Sequence, residues 1–99
     1  MDIYETLKRT GLPATHSHFK KGRRPPYIVY IGSGQENMAA DDSYYHSRNT
    51  YQVEYYFTKK DESIEARIER ILLEDGWLYT KSEDTYIEGD DVFVIYYYV

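Results

Sequence analysis

Two hydrophobic periods alternate along this chain. At residues 50–58, Tyr51, Val53, Tyr55 and Phe57 occupy one set of alternate positions, and Gln52, Glu54 and Tyr56 the other. That two-residue period predicts a strand with one buried face. It then gives way to Ile64, Ile68, Ile71 and Leu72, which share one helical stripe, while Glu65, Arg67, Glu69 and Arg70 are expected to point elsewhere. Asp61 is placed to cap this helix and Asp75-Gly76 to end it. A shorter helix is predicted at the start, where Ile3, Tyr4 and Leu7 follow the candidate N-cap Asp2 and Gly11 with Pro13 stops the run.

The remaining apolar runs read as strands. Residues 15–19 alternate weakly, as an edge strand would. Residues 27–31 read as a buried strand bounded by the turn Gly32-Ser33-Gly34. Residues 77–81 and 92–99 supply two more strands, separated by an acidic connection at residues 83–91. Residues 35–48 are polar. They suggest a long mobile hairpin or loop carrying Asp41, Asp42, Tyr44 and Tyr45, with Arg48-Asn49 as a hairpin turn. The expected fold is therefore α+β in one domain, 1–99. It is an antiparallel sheet of about four to five strands with two helices packed on one face. Tyr55 then falls in the core. Tyr56 falls on the opposite face with Gln52 and Glu54, beside one of the two alternating sets of the last strand. On that placement Tyr56→Ala should spare thermal stability.

Composition sharpens this picture. Thirteen residues are tyrosine, most of them in the strand-like runs. A ring with a polar tip suits a surface that is apolar at one end and wet at the other, and tyrosine is enriched at interface centres. Net charge is −5, unevenly spread: residues 1–60 hold nine Lys/Arg against six Asp/Glu, and residues 61–99 hold three against eleven. Such a split admits head-to-tail docking between copies, or simply one acidic helix and one acidic loop. There is no cysteine, which leaves out disulfides and thiolate sites and suits a reducing cytosol. No apolar run approaches the ~20 residues of a membrane span, and no signal peptide is visible, so a soluble intracellular product is expected.

Candidate chemistry is sparse. His16 and His18 are two apart, as on one strand face, but they offer too few partners for a metal site. The acidic run from Glu83 to Asp91 breaks the calcium-loop pattern at Tyr86 and Ile95. Gly32-Ser33-Gly34 lacks the rest of a phosphate-binding fingerprint. Lys20, Lys21, Arg23 and Arg24, flanked by Phe19 and Tyr27, form a basic patch that is a weak footprint for nucleic acid on an acidic protein. No nucleophile motif appears. The reading is of a non-enzyme with no cofactor and no metal.

The ordered features do resemble a known group. Leu12-Pro13 closes a short helix. Pro25-Pro26-Tyr27-Ile28-Val29-Tyr30, Gly32-x-Gly34, Ala40-Asp41-Asp42 and Tyr51-x-x-Glu54-Tyr55-Tyr56 follow. A charged helix and Lys81-Ser82-Glu83-Asp84-x-Tyr86-Ile87 precede the terminal strand. Nearly the whole chain resembles the small tail-completion or head–tail joining (tail terminator-like) proteins of long-tailed phages and prophages. That resemblance implies a compact α+β domain in a ring, often of six copies. Its partners would be the tail tube or head connector, and it would sit in the bacterial cytoplasm and then in the virion. It carries over no catalytic residue. Two alternatives from other classes stay open: a small regulatory or peptide-binding module, and a weak nucleic-acid binder using residues 20–24.

Overall fold

The computed structural model describes residues 2–19, 22–39 and 45–99. Its element order is α1(Ile3–Lys8), β1(Ala14–His16), β2(Tyr27–Ala39), β3(Tyr45–Phe57), α2(Glu62–Glu74), β4(Thr80–Lys81), β5(Thr85–Ile87) and β6(Val92–Tyr98). The class is α+β, with a six-stranded sheet in the order β1-β2-β3-β6-β4 and β5 also on β6. Both predicted caps form: Asp2 accepts from the Glu5 amide and Asp61 from the Ser63 amide. Gly11 and Gly76 follow their helices at φ +81° and +86°, where a side chain would be strained.

β3 organises the sheet because its two faces have different fates. Val53, Tyr55 and Phe57 lie beneath the helices with Ile28 of β2 and Ile95 and Tyr97 of β6. Ile3 and Leu7 of α1 and Ile68 and Leu72 of α2 close over them, so both helices cover one face. Tyr97 is fully buried and donates its hydroxyl to Glu69 Oε2 at 2.8 Å. Trp77 and Arg9 tie the helices together: Trp77 Nε1 donates to Thr6 Oγ1, Thr6 donates to Asp75, and Arg9 pairs with Glu74 and Asp75.

Several expectations are corrected. The sheet is mixed, because β1 runs parallel to β2 (Ala14 opposite Ile28, His16 opposite Tyr30). Six strands form rather than four to five. Gly32-Ser33-Gly34 is a bulge inside β2 and not a terminating turn. Gly32 faces Tyr51 and Gly34 faces Thr50, so Ser33 is the extra residue, and its hydroxyl bonds Thr50 Oγ1 at 2.8 Å. The segment 35–48 is largely strand, and Arg48-Asn49 lies inside β3 opposite Glu36 and Gln35. Tyr45 opens β3 opposite Ala39, whereas Asp41, Asp42 and Tyr44 lie outside the described residues. Residues 34–39 and 45–50 thus form a two-stranded ribbon reaching past the end of β6. His18 follows β1 rather than sharing its face with His16. Of residues 77–81 only Thr80 and Lys81 are strand.

The acidic connection contains β5. Lys81 faces Tyr97 and Thr85 faces Val94, so Ser82, Glu83 and Asp84 oppose only Tyr96 and Ile95. At this one-residue bulge Ser82 stitches the break: its amide donates to the Tyr96 carbonyl, and its Oγ accepts the Tyr96 amide, both at 2.8 Å. β4 and β5 are thereby two halves of one interrupted edge strand.

Glu65 is a further correction, since it faces the sheet and is only 2% exposed. Lys60 and Lys81 compensate it: Lys81 Nζ lies 2.9 Å from Oε1, and Lys60 Nζ 3.0 Å from Oε1 and 2.8 Å from Oε2. The Oε2 contact has ion-pair distance without hydrogen-bond alignment. Lys81 also reaches Glu69 at 2.7 Å. Burial alone would lower the Lys81 pKa, but its bonds to Glu69 and Glu65 outweigh that and raise it.

Removing one cation from this buried acid leaves it undercompensated, so Lys81→Met should cost about 2 kcal/mol, less than the 3–5 of a fully broken buried pair because Lys60 remains. Urea melts measure it, and an unchanged midpoint contradicts it. The same core sets an alkaline limit. Burial pushes the Tyr55 phenol from 10.0 up to about 12. The fold therefore holds this proton more tightly than the unfolded chain does. Its stabilising share is complete below about pH 10 and declines as pH rises toward about 12. Thermal melts should show a falling midpoint across that window, and a flat midpoint contradicts the burial of Tyr55.

Candidate functional site

The sheet face away from the helices is set out by strand register. Tyr27, Tyr56 and Val94 form one row across β2, β3 and β6. Val29, Glu54 and Tyr96 form the next, and Ile31, Gln52 and Tyr98 the third. Because side chains alternate, the set of the last strand on this outer face is Tyr96 and Tyr98, while Tyr97 goes to the core. Among the described residues no helix covers these rows, although Val29 and Val94 within them are buried. Tyr98 is 46% exposed and Ile31 39% exposed; Tyr27, Gln52, Tyr56 and Tyr96 are half-buried.

The predicted surface residues Gln52, Glu54 and Tyr56 come together here as one hydrogen-bonded unit. Tyr56 donates its hydroxyl to Glu54 Oε1 at 2.6 Å, and Gln52 Nε2 donates to Oε2 at 2.9 Å. Glu54 is not an exposed contact residue, however. It sits at the centre of the nine positions and is only 7% exposed. A carboxylate this buried needs donors on its oxygens, and two side chains of its own strand supply them. Among the described residues no Lys or Arg pairs with it.

The rings are ordered around this acid. Tyr27 stacks on Tyr56 at 4.9 Å between centroids, Tyr96 lies parallel to Tyr98 at 6.2 Å, and Phe19 meets Tyr27 edge-on at 5.4 Å. Burial raises the Tyr56 pKa, with the hydrogen bond to Glu54 adding to it. Burial also raises Tyr96 and Tyr27, to which the Glu54 charge contributes. All three phenols are thus held as neutral donors. The face offers hydroxyls, ring planes and two exposed apolar side chains. Rings with polar tips are side chains in which interface centres are enriched.

Other candidates are placed as follows. Arg23 and Arg24 are exposed, and the Arg23 guanidinium lies 4.9 Å over the Phe19 ring at the rim of this face; Lys20 and Lys21 lie outside the described residues. His16 meets Tyr30 edge-on at 5.3 Å, and His18 Nδ1 is 3.2 Å from Ser17 Oγ. Among the described residues no three His, Asp or Glu side chains converge as metal ligands would. No helix among them is long and apolar enough to cross a membrane. The sequence matches no protein-family model and no curated protein.

Sequence reasoning did not single out Tyr27, Ile31, Tyr96 or Tyr98. The period-two alternation of β2 and β6 was the available signal, but each strand offered two sets and only strand pairing selects between them. The structure also revises the expected cost of changing Tyr56. Tyr56→Phe removes a donor from a buried carboxylate, so it should destabilise by about 1–3 kcal/mol. Tyr98→Ser should stay within about 0.5 kcal/mol of the parent, as exposed substitutions do. Paired denaturation curves check both, and equal midpoints would mean that Glu54 does not depend on the Tyr56 hydroxyl.

Proposed function

We propose that this chain is a structural assembly protein of a phage or prophage virion: a ring-forming tail terminator or head–tail joining (tail completion) protein. The observation that carries this reading is the outer face that no described helix covers, three strands by three rows, with four tyrosines around a buried acid. Rigid rings with a polar tip give large contact area at low entropic cost, and tyrosines rank among the strongest interface anchors. The ordered sequence features resembling tail-completion proteins supply the biological setting. Assembly on the face would bury Tyr98 and Ile31, and the hydroxyls would keep the free subunit wettable.

A second reading, a module that grips a peptide by strand addition, is favoured by one observation. β1 pairs only residues 28–30 of β2, and residues 31–36 beyond it are exposed.

The two readings separate in one experiment. Deleting the gene from an inducible prophage should leave unjoined heads and tails by electron microscopy, and infectious joined particles from the deletion would overturn the proposal. Complementation with a Tyr98→Ser, Ile31→Ser double variant should fail although the protein folds. Loss of a Tyr anchor alone costs an interface about 2 kcal/mol, roughly thirtyfold in affinity.

A further inference from the structure

A cleft borders the tyrosine face at Tyr98, at the foot of the ribbon. It has a volume of about 570 Å³ and is bounded by Arg48 and Thr50 of β3 on one side and by residues 78–80 on the other. Its position follows from the sheet order. β6 lies between β3 and β4 and makes its last backbone contacts where Val99 pairs with Tyr51. β3 continues past that point as one arm of the ribbon, and the cleft lies between this arm and residues 78–80. The gap is therefore two strand spacings across, roughly 10 Å, wide enough for a loop tip.

Two features of this cleft lack partners. The Arg48 guanidinium lies 5.4 Å over the Trp77 ring, yet its Nε is buried without a hydrogen bond and no carboxylate pairs with it among the described residues. Asp75, nearby, is already held by Arg9 and Thr6. Glu36 faces Arg48 across the ribbon without approaching to ion-pair distance. On the opposite rim Leu78 is 74% exposed, the most exposed large apolar side chain described. A cation with no ion pair among the described residues, beside an exposed apolar side chain and the hydroxyls of Ser33, Thr50 and Thr80, suits an acidic loop.

The same chain carries such a loop at the other end of β6. Residues 88–91 form an exposed turn closed by the Asp91 amide donating to the Ile87 carbonyl. Glu88, Asp90 and Asp91 make no ion pair among the described residues, and one Asp91 oxygen accepts the Tyr86 hydroxyl. The seven residues of β6 separate this turn from the cleft by roughly 20 Å. The two surfaces do not overlap on one subunit.

We propose that a second copy of this chain inserts its acidic β5–β6 turn into the ribbon-foot cleft of the first, with its carboxylates on Arg48. The inference rests on the reading of the chain as a self-assembling protein and names the contact between copies. A cleft at one end and its occupant at the other make a heterologous interface. Such an interface repeats head to tail and closes into a ring when the rotation per copy divides a full turn. The Arg48 guanidinium gains a carboxylate partner, and the excess negative charge of the second half of the chain meets a cation of the first half.

The absence of cysteine makes the test clean. Leu78→Cys protein is mixed with Asp90→Cys protein under a mild thiol oxidant, and formation of the mixed disulfide is timed. The reference is Leu78→Cys mixed with Glu62→Cys, an exposed position on α2. The Leu78/Asp90 pair should cross-link about tenfold faster, because docking raises the effective concentration of the two thiols. Adding Arg48→Glu to the first partner should abolish the preference, and adding Glu88→Lys to the second should then restore it. Because Arg48 packs on Trp77, Glu88→Lys alone, on the exposed turn, serves as the second probe. It should weaken the preference without touching the fold. Raising the salt from about 50 mM to about 500 mM should erode the preference as well. Equal cross-linking of both pairs, or a preference indifferent to both charge reversals, overturns the proposal. If the deletion still blocks head–tail joining while the two pairs cross-link equally, the assembly role stands and this contact falls. If the Leu78/Asp90 preference appears while joining survives the deletion, copies associate but the virion role falls.

Discussion

A core built from tyrosine must find an acceptor for any hydroxyl it buries, and that requirement propagates through this molecule. Tyr97 lies fully inside, so its hydroxyl needs an oxygen in the apolar layer, and Glu69 of α2 provides it. A carboxylate there, with Glu65 one turn earlier, brings negative charge under the helix. Lys81 of β4 answers both acids, and Lys60, just before α2, answers Glu65. One ring's polar tip therefore fixes the rotation of α2, the placement of β4 and the path of the chain into α2. The apolar stripe alone would hold the helix on the sheet, but the acid–lysine set specifies where along the sheet it sits.

The outer face solves the same problem by other means. Among the described residues Glu54 has no cation beside it, and its two donors come from its own strand two residues to either side. Because Gln52 and Tyr56 point to the same side of β3 as Glu54, the unit is assembled by strand geometry alone. The face can thus present a buried acid ringed by aromatics without a partner from any other described element on its carboxylate.

Much of this was legible in the sequence where one side of an element is dry. Both helix caps and the two faces of residues 51–57 follow from period and capping chemistry. The misreadings share a cause. Residues 35–39 and 45–49 lack the apolar alternation that marks a strand, and Gly32-Ser33-Gly34 looked like a terminus when it is a bulge. Glu65 looked outward because only the folded positions of Lys60 and Lys81 make an acid tolerable beneath a helix. β5 is three residues long with acidic residues on both sides, too short for any period. The parallel pairing of β1 depends on how residues 17–26 return to the sheet, which local pattern does not encode. At the candidate site the polar members were legible, whereas the choice of Tyr96 and Tyr98 over their neighbours required the register.

Ser82 carries a consequence of its own. By accepting the Tyr96 amide on a side-chain oxygen, it lets the chain skip a step, so the outer edge of the sheet consists of a two-residue piece and a three-residue piece out of phase by one. A neighbouring strand that bonded to one piece would find its amides and carbonyls misaligned at the other. This rim is therefore a poor template for lateral copying, and runaway fibre growth from that side is disfavoured.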